Sequence, residues 1–247
     1  MTLLRFLKRL VSRRLSRVEN RCSMIEGNPM DHQFWHDIWT ERKIGFHRSD
    51  VHPMLTRHWS AIAQSSAGVL VPLCGKTLDM AWLAEQGHPV VGVELDERAV
   101  SEYFQERQTT PSEHTRTDGL EERHADGVSI VVGDFFQVSP RATLRAFYDR
   151  AALVALPEAM RRNYLRFLAS LIAEGGQGLL ITFEYPEDCM NGPPFSIPRD
   201  EVQGQPWFSV ETLEREDVIE SYDHLREAGI HYLIETAYRL TRNEHPV

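Results

Sequence analysis

Four sets of side chains in this 247-residue chain have types and spacings that could do chemistry: Gly75 with Glu94, Trp35 with Trp39, His32 with His36, and Asp149 beside Arg150. Gly75 closes an apolar run, VLVPL, and Glu94 closes a second run nineteen residues later. In a parallel sheet, an acid about 20 residues after a glycine turn is placed to hold a ribose diol. A dinucleotide site would need G-x-G-x-x-G, and Gly75 stands alone. Gly75-Lys76-Thr77 resembles the end of a phosphate loop, but that loop needs a glycine where this chain has Leu70. One glycine with a ribose-binding acid suits a nucleoside cofactor without phosphate, and S-adenosylmethionine is the obvious one. The alternative is a plain strand-helix-strand unit with Glu94 in solvent.

Trp35 and Trp39 are spaced to share one face of a helix that Asp31 can cap. They either cover a sulfonium cation or belong to the core. His32 and His36 share another face at zinc spacing, yet the acid of H-E-x-x-H is Gln33 and no third ligand is spaced to help, so no metal is expected. Asp134 follows a third short apolar strand, where it could accept from an adenine amino group or serve as ordinary turn chemistry. Arg150 either draws in an anionic acceptor or pairs with Asp149. Cys22, Cys74 and Cys189 have no CxxC spacing, which suggests neither zinc nor disulfides and fits a reducing cytoplasm. Cys74 has no basic partner evident in sequence and reads as a small turn residue rather than a nucleophile.

These residues must be positioned by the elements between them. A strand over 69–73, a helix over 77–86 and a strand over 89–93 form one parallel unit. A helix over 53–62 precedes it. A helix over 98–108, a polar loop over 109–126 and a strand over 127–132 follow. Next come a strand from Leu144 into Asp149-Arg150, a helix over 157–173 stopped by Gly175-Gly176, and a strand over 178–185. The proline-rich loop after it, PEDCMNGPPFSIP, sits where a lid over the carboxyl edge belongs. A weak helix over 199–203, a strand over 208–214, a helix over 217–228 and a strand over 232–241 end the pattern. The expected fold is α/β, a three-layer doubly wound, mostly parallel sheet with its last strand antiparallel.

Composition bounds the partners. A net charge of −9 argues against binding a nucleic acid backbone, and no apolar run is long enough to span a membrane. Residues 1–29 differ, with seven Lys and Arg against Glu19 and Glu26. They read as a basic extension outside the fold, from an early start, or as an amphipathic helix for an anionic surface or a transit peptide. Residues 30–247 read as a single domain.

Trp35-x3-Trp39, Gly45-Phe46-His47, Val71-Pro72-Leu73-Cys74-Gly75-Lys76, Gly87-His88-x-Val90-Val91-Gly92-Val93-Glu94, Asp149-Arg150-x-Ala152-Leu153 and Gly192-Pro193-Pro194-Phe195 occur in one colinear order. Over residues 31–242 the chain resembles the thiopurine S-methyltransferase family, Rossmann-like class I enzymes. The resemblance implies S-adenosylmethionine as cofactor, with Trp35, Trp39, Leu73, Gly75, Glu94, Asp134, Phe135 and Arg150 around it. It implies a catalytic Arg150 between cofactor and acceptor, and an acceptor pocket lined by Phe46, Arg150, Pro193, Pro194 and Phe195. The acceptor would be a small thiol, selenol or metalloid species, and the enzyme a cytoplasmic monomer. A second arginine that some members place near the acceptor falls here around His224, with Arg226 two residues on. Rival readings are a methyltransferase for another small acceptor and a non-enzymatic sensor of S-adenosylmethionine. A nucleic acid methyltransferase is disfavoured, because Asn191-Gly192-Pro193-Pro194-Phe195 has an inserted glycine and follows the fifth strand rather than the fourth.

Overall fold

A computed structural model describes residues 31–64, 66–141, 144–186 and 189–244; the expected N-terminal amphipathic helix and Cys22 lie outside them. The two apolar runs that flank Gly75 become β1 (Gly68–Val71) and β2 (Val90–Glu94), each buried along its whole length. Valine-rich strands without polar alternation need cover on both faces, which a helix-flanked parallel sheet supplies. The remaining strands are β3 (Ser112–Thr115), β4 (Glu121–Ala125), β5 (Val128–Val132), β6 (Leu144–Arg150), β7 (Gln177–Glu184), β8 (Phe208–Asp217) and β9 (Ile234–Arg242). Among the described residues they form one sheet in the order β3-β4-β5-β2-β1-β6-β7-β9-β8. β1 lies between β2 and β6 and is parallel to both, so the winding reverses there and opens a crevice at the carboxyl ends. β5 and β7 extend the parallel centre. β9 runs antiparallel to β7, as expected for the last strand, and β4 runs antiparallel to β5.

Alternate residues of the central strands feed two cores. Leu70, Val91, Val93, Phe147 and Leu180 pack under α5 (Glu158–Leu171). Val69, Val71, Val90, Tyr148, Leu179 and Ile181 pack under α2 (Pro53–His58), α3 (Asp79–Glu85) and α4 (Glu97–Glu106). Three layers follow from that alternation. Helix starts obey local chemistry: Asp31 accepts from Gln33 N–H to cap α1 (His32–Thr40), and Asp96 accepts from Arg98 N–H to cap α4.

Two expectations are corrected. Residues 109–126 are not a polar loop but hold the β3–β4 hairpin, paired onto β5. Its buried positions are Glu122 and Arg123, adjacent charges on opposite faces that hide the usual apolar alternation; Glu122 is paired with Arg116 at 3.3 Å and with Arg141. The helix expected over 217–228 shrinks to α7 (Asp223–Glu227), because β8 runs on to Asp217. There the Asp217 carboxylate accepts from the N–H groups of Ile219 and Leu233, both at 3.1 Å, and turns the chain.

Candidate active site

Past β1 the chain turns through Leu73 at φ 46° and Gly75 at φ 53°. A leucine held in the left-handed region is the kind of backbone strain that collects at binding sites. A side chain added at Gly75 would meet the Trp39 ring at 3.3 Å, so this turn needs glycine because it approaches an aromatic face closely. Trp39 is buried and meets Phe46 edge-on, with ring centroids 5.8 Å apart. Trp35 is half-buried and edge-on to Phe34 at 5.1 Å.

Glu94 ends β2 facing this turn. Its Oε2 accepts from Gly75 N–H at 2.7 Å and its Oε1 from Asp96 N–H at 2.8 Å. The two bonds fix the carboxylate while a second lone pair on each oxygen remains for hydroxyl donors. Burial pushes the Glu94 carboxyl up to about 7, although its backbone bonds pull the other way. Burial, reinforced by Glu94, also pushes the Cys74 thiol up, which leaves it protonated and inert as a nucleophile. Lys76 is bound to the acids of α4, Glu102 at 2.9 Å and Glu106, and so is not free to bind a phosphate.

Asp134 caps the short turn after β5, accepting from Phe136 N–H at 2.9 Å. The Phe135 ring is buried among Tyr164, Phe167 and Phe136, with centroids 5.3, 5.3 and 5.8 Å away. The two histidines of α1 each face an acid: His36 Nδ1 is 2.7 Å from Asp96, and His32 Nε2 is 3.7 Å from Asp134. No cluster of three or more His, Cys, Asp or Glu side chains able to hold a metal ion occurs among the described residues. Asp96 was missed in sequence although its signal, an Asp opening a helix right after the ribose acid, was present.

Arg150 ends β6, and its Nη1 donates to the carbonyl of Phe46 at 2.7 Å. Asp149 is turned to the other face and fully buried, accepting from Ala152 N–H at 3.2 Å, Leu153 N–H at 3.1 Å and Tyr164 Oη at 2.7 Å. Burial pushes its carboxyl up to about 6. The proline loop is tied to the turn that follows Arg150, since Phe195 N–H donates to the carbonyl of Val154 at 2.6 Å. Tyr185 Oη holds the carbonyl of Pro194 at 2.6 Å, and the Phe195 ring lies under Arg161 at 5.8 Å. Pro193, Pro194 and Phe195 are half-buried. Arg226 is exposed and paired with Glu220 and Asp223.

The donors fit an adenosine that carries no phosphate: an oriented carboxylate with lone pairs to spare, a close glycine backbone, and a lysine already engaged by acids. Solved structures share the fold, among them 1,6-didemethyltoxoflavin-N1-methyltransferase from Burkholderia thailandensis, with a TM-score of 0.57 at 18% identity over 89% of this chain and 92% of that one. A methyltransferase from Methanosarcina mazei has a TM-score of 0.56 at 12% identity over 79% of this chain and all of that one. Fold and crevice are those of a class I S-adenosylmethionine-dependent methyltransferase. The sequence pattern of the thiopurine S-methyltransferase family matches residues 30–243. Thiopurine S-methyltransferases of Pseudomonas aeruginosa (strain LESB58) and Shewanella amazonensis are each 44% identical, over 218 and 220 residues, covering 86% of this chain and 100% of theirs. The chain belongs to this family, and it is an enzyme that transfers the methyl group of S-adenosylmethionine.

Proposed function

We propose that the methyl group goes to the sulfur of a small aromatic thiol or thione of the thiopurine kind, with selenols and reduced tellurium species as further acceptors. The observation that carries this reading is Arg150, released from Asp149 and held by the Phe46 carbonyl at 2.7 Å at the end of β6. Glu94 takes the ribose hydroxyls. Trp35 and Trp39 cover the sulfonium side, and Leu73 and Gly75 face the methionine portion. Asp134 and the backbone of Phe135 lie beside the adenine. Phe46, Pro193, Pro194 and Phe195 wall the acceptor.

Bound S-adenosylmethionine supplies an electrophilic methyl group together with its own leaving group. What remains for the protein is alignment, because bringing two reactants in line accounts for much of the barrier to a displacement. Arg150 keeps one nitrogen on the Phe46 carbonyl and turns the rest of its fork to the acceptor, where its charge favours the ionised sulfur. An aromatic thiol so stabilised needs no strong general base. The protein works in the cytoplasm as a monomer. That reading is supported by Cys74 being a buried free thiol and by Tyr232 being the sole exposed large hydrophobic side chain among the described residues. No described helix is long and apolar enough to cross a membrane.

The test is a screen of thiols, selenols and thiopurines, beside matched phenols and anilines, with methyl-labelled cofactor. Label on sulfur or selenium is expected; label confined to oxygen or nitrogen acceptors overturns the reading.

A further inference from the structure

Arg161, near the start of α5, is a buried cation that the chemistry above does not use. Its guanidinium reaches separate stretches of chain. Nε donates to the carbonyl of Leu156 at 3.0 Å, Nη1 donates to Glu201 of α6 (Arg199–Gln203) at 2.6 Å, and the same nitrogen is 3.5 Å from the carbonyl of Ser196. The guanidinium carbon stands over the Phe195 ring, 5.8 Å from its centroid. A buried ion pair is weak support for stability, because an apolar side chain of similar volume can fill such a place at little loss. What a planar fork adds is orientation.

The parts it orients surround the acceptor. Leu156 ends the turn that follows Arg150, and Val154 in that turn accepts from Phe195 N–H at 2.6 Å. Tyr185 holds the main chain before and after the ring, its Oη donating to the Pro194 carbonyl at 2.6 Å and its N–H donating to Ser196 Oγ at 3.0 Å. The ring itself folds back on Gly192, where an added side chain would come within 2.5 Å of it. Main-chain bonds thus fix where the loop runs, while Gly192 and Arg161 lie against the ring.

We propose that Arg161 is a positioning residue that sets how thick an acceptor the site takes. It acts through Phe195, by holding the ring together with the carbonyls of Leu156 and Ser196, and so keeps the acceptor wall at a fixed distance from Arg150. This rests on the reading above that Phe195 walls the acceptor. An aromatic wall held in one place makes a slot for flat acceptors, and a wall free to swing admits bulkier ones.

The experiment compares 4-tert-butylthiophenol with thiophenol, taking the ratio of their kcat/KM values and of their dissociation constants in the presence of S-adenosylhomocysteine. Both ratios are internal to one preparation, so a loss of folded protein does not move them. In Arg161→Met, which keeps much of the length and removes the fork, the bulky thiol should gain roughly tenfold on the flat one, the low end of what pocket shape contributes to discrimination. Arg161→Lys, which keeps a cation, and Glu201→Gln, which loosens the fork, should shift the ratios the same way by less. Cofactor affinity should hold throughout. In Phe195→Ala the ratios should also rise, and adding Arg161→Met should then change them little, because both act on one wall. Ratios unmoved in Arg161→Met, or an Arg161→Met effect that persists in full without the ring, overturn the proposal and leave the acceptor reading standing. Should Arg161→Met not fold, unmoved ratios in both milder variants overturn it instead. Ratios unmoved in Phe195→Ala, or neither thiol bound, mean that Phe195 does not wall the acceptor, and the proposal falls with that reading.

Discussion

Asp149 and Arg150 are neighbours in sequence and strangers in space: the carboxylate accepts from Tyr164 Oη at 2.7 Å in the core, while the guanidinium reaches the Phe46 carbonyl at 2.7 Å on the crevice side. Successive residues of a strand face opposite ways, so β6 anchors itself with one residue and presents the next. Ala151, at φ 71°, is the bend that the Asp149 bonds to Ala152 and Leu153 hold in place.

If Arg150 acts on the reacting acceptor, its loss should appear in turnover more than in cofactor binding. Single-turnover rates should fall in the order wild type, Arg150→Lys, Arg150→Ala, by roughly 10 to 1000-fold at Ala, as when one electrostatic stabiliser is removed. Cofactor affinity that drops as far as the rate does would make Arg150 a cofactor ligand instead.

Tyr164→Phe tests the anchor. The folded Asp149 carboxyl titrates near 6, above its ordinary value, so the folded protein holds this proton more tightly than the unfolded chain does. The stability that comes with this carboxyl is present below about pH 4 and is lost as pH rises through 6. Removing the Tyr164 donor should cost about 1.5–3 kcal/mol at pH 8, where Asp149 is ionised, and less at pH 5. Urea unfolding at both values measures it, and a loss independent of pH would contradict the assignment.

Glu94 should make cofactor binding depend on pH. Its carboxyl titrates near 7 in the free protein, and the ionised form is the better acceptor for ribose hydroxyls. Affinity for S-adenosylmethionine should therefore climb between about pH 6 and 8 and then level off. Glu94→Gln should flatten this profile, and Glu94→Ala should weaken binding at least about tenfold. Calorimetry with an unchanged dissociation constant in Glu94→Ala would remove the ribose role.

Residues 1–29 carry a strong positive charge and precede the family match, which begins at residue 30. A chain starting at Met30 should bind cofactor, melt and turn over like the full protein. Pelleting with anionic vesicles by the full chain alone would assign the extension a surface-binding role, and loss of cofactor binding on truncation would place it in the fold.

The β1-α3-β2 unit was legible because unbroken runs such as Val69-Leu70-Val71 and Val90-Val91 have no use except in a doubly covered strand. The strand Glu121–Ala125 was not, since its buried positions are charged and the ion pairs with Arg116 and Arg141, contributed from outside the strand, make Glu122 tolerable there. The histidines of α1 illustrate the same limit. Their spacing was visible, but Asp96 and Asp134, which face them, lie about 60 and 100 residues away in the chain. The separation of Asp149 from Arg150 was likewise hidden, because adjacency in sequence says nothing about which face has a Tyr164 waiting.

Among the described residues, the backbone-to-backbone hydrogen bonds of the segment 31–48 are all to itself. It meets the sheet through side chains: His36 on Asp96, Arg42 on Glu102, Trp39 over Gly75, and Arg150 reaching up to Phe46. The crevice thus has a floor built of strands and a roof merely fastened to it. Lifting the roof breaks polar clasps and uncovers the buried side chains of Phe34, Ile38 and Trp39 but undoes no strand pairing, so the doorway to the cofactor can be opened without dismantling the framework that aims its ligands.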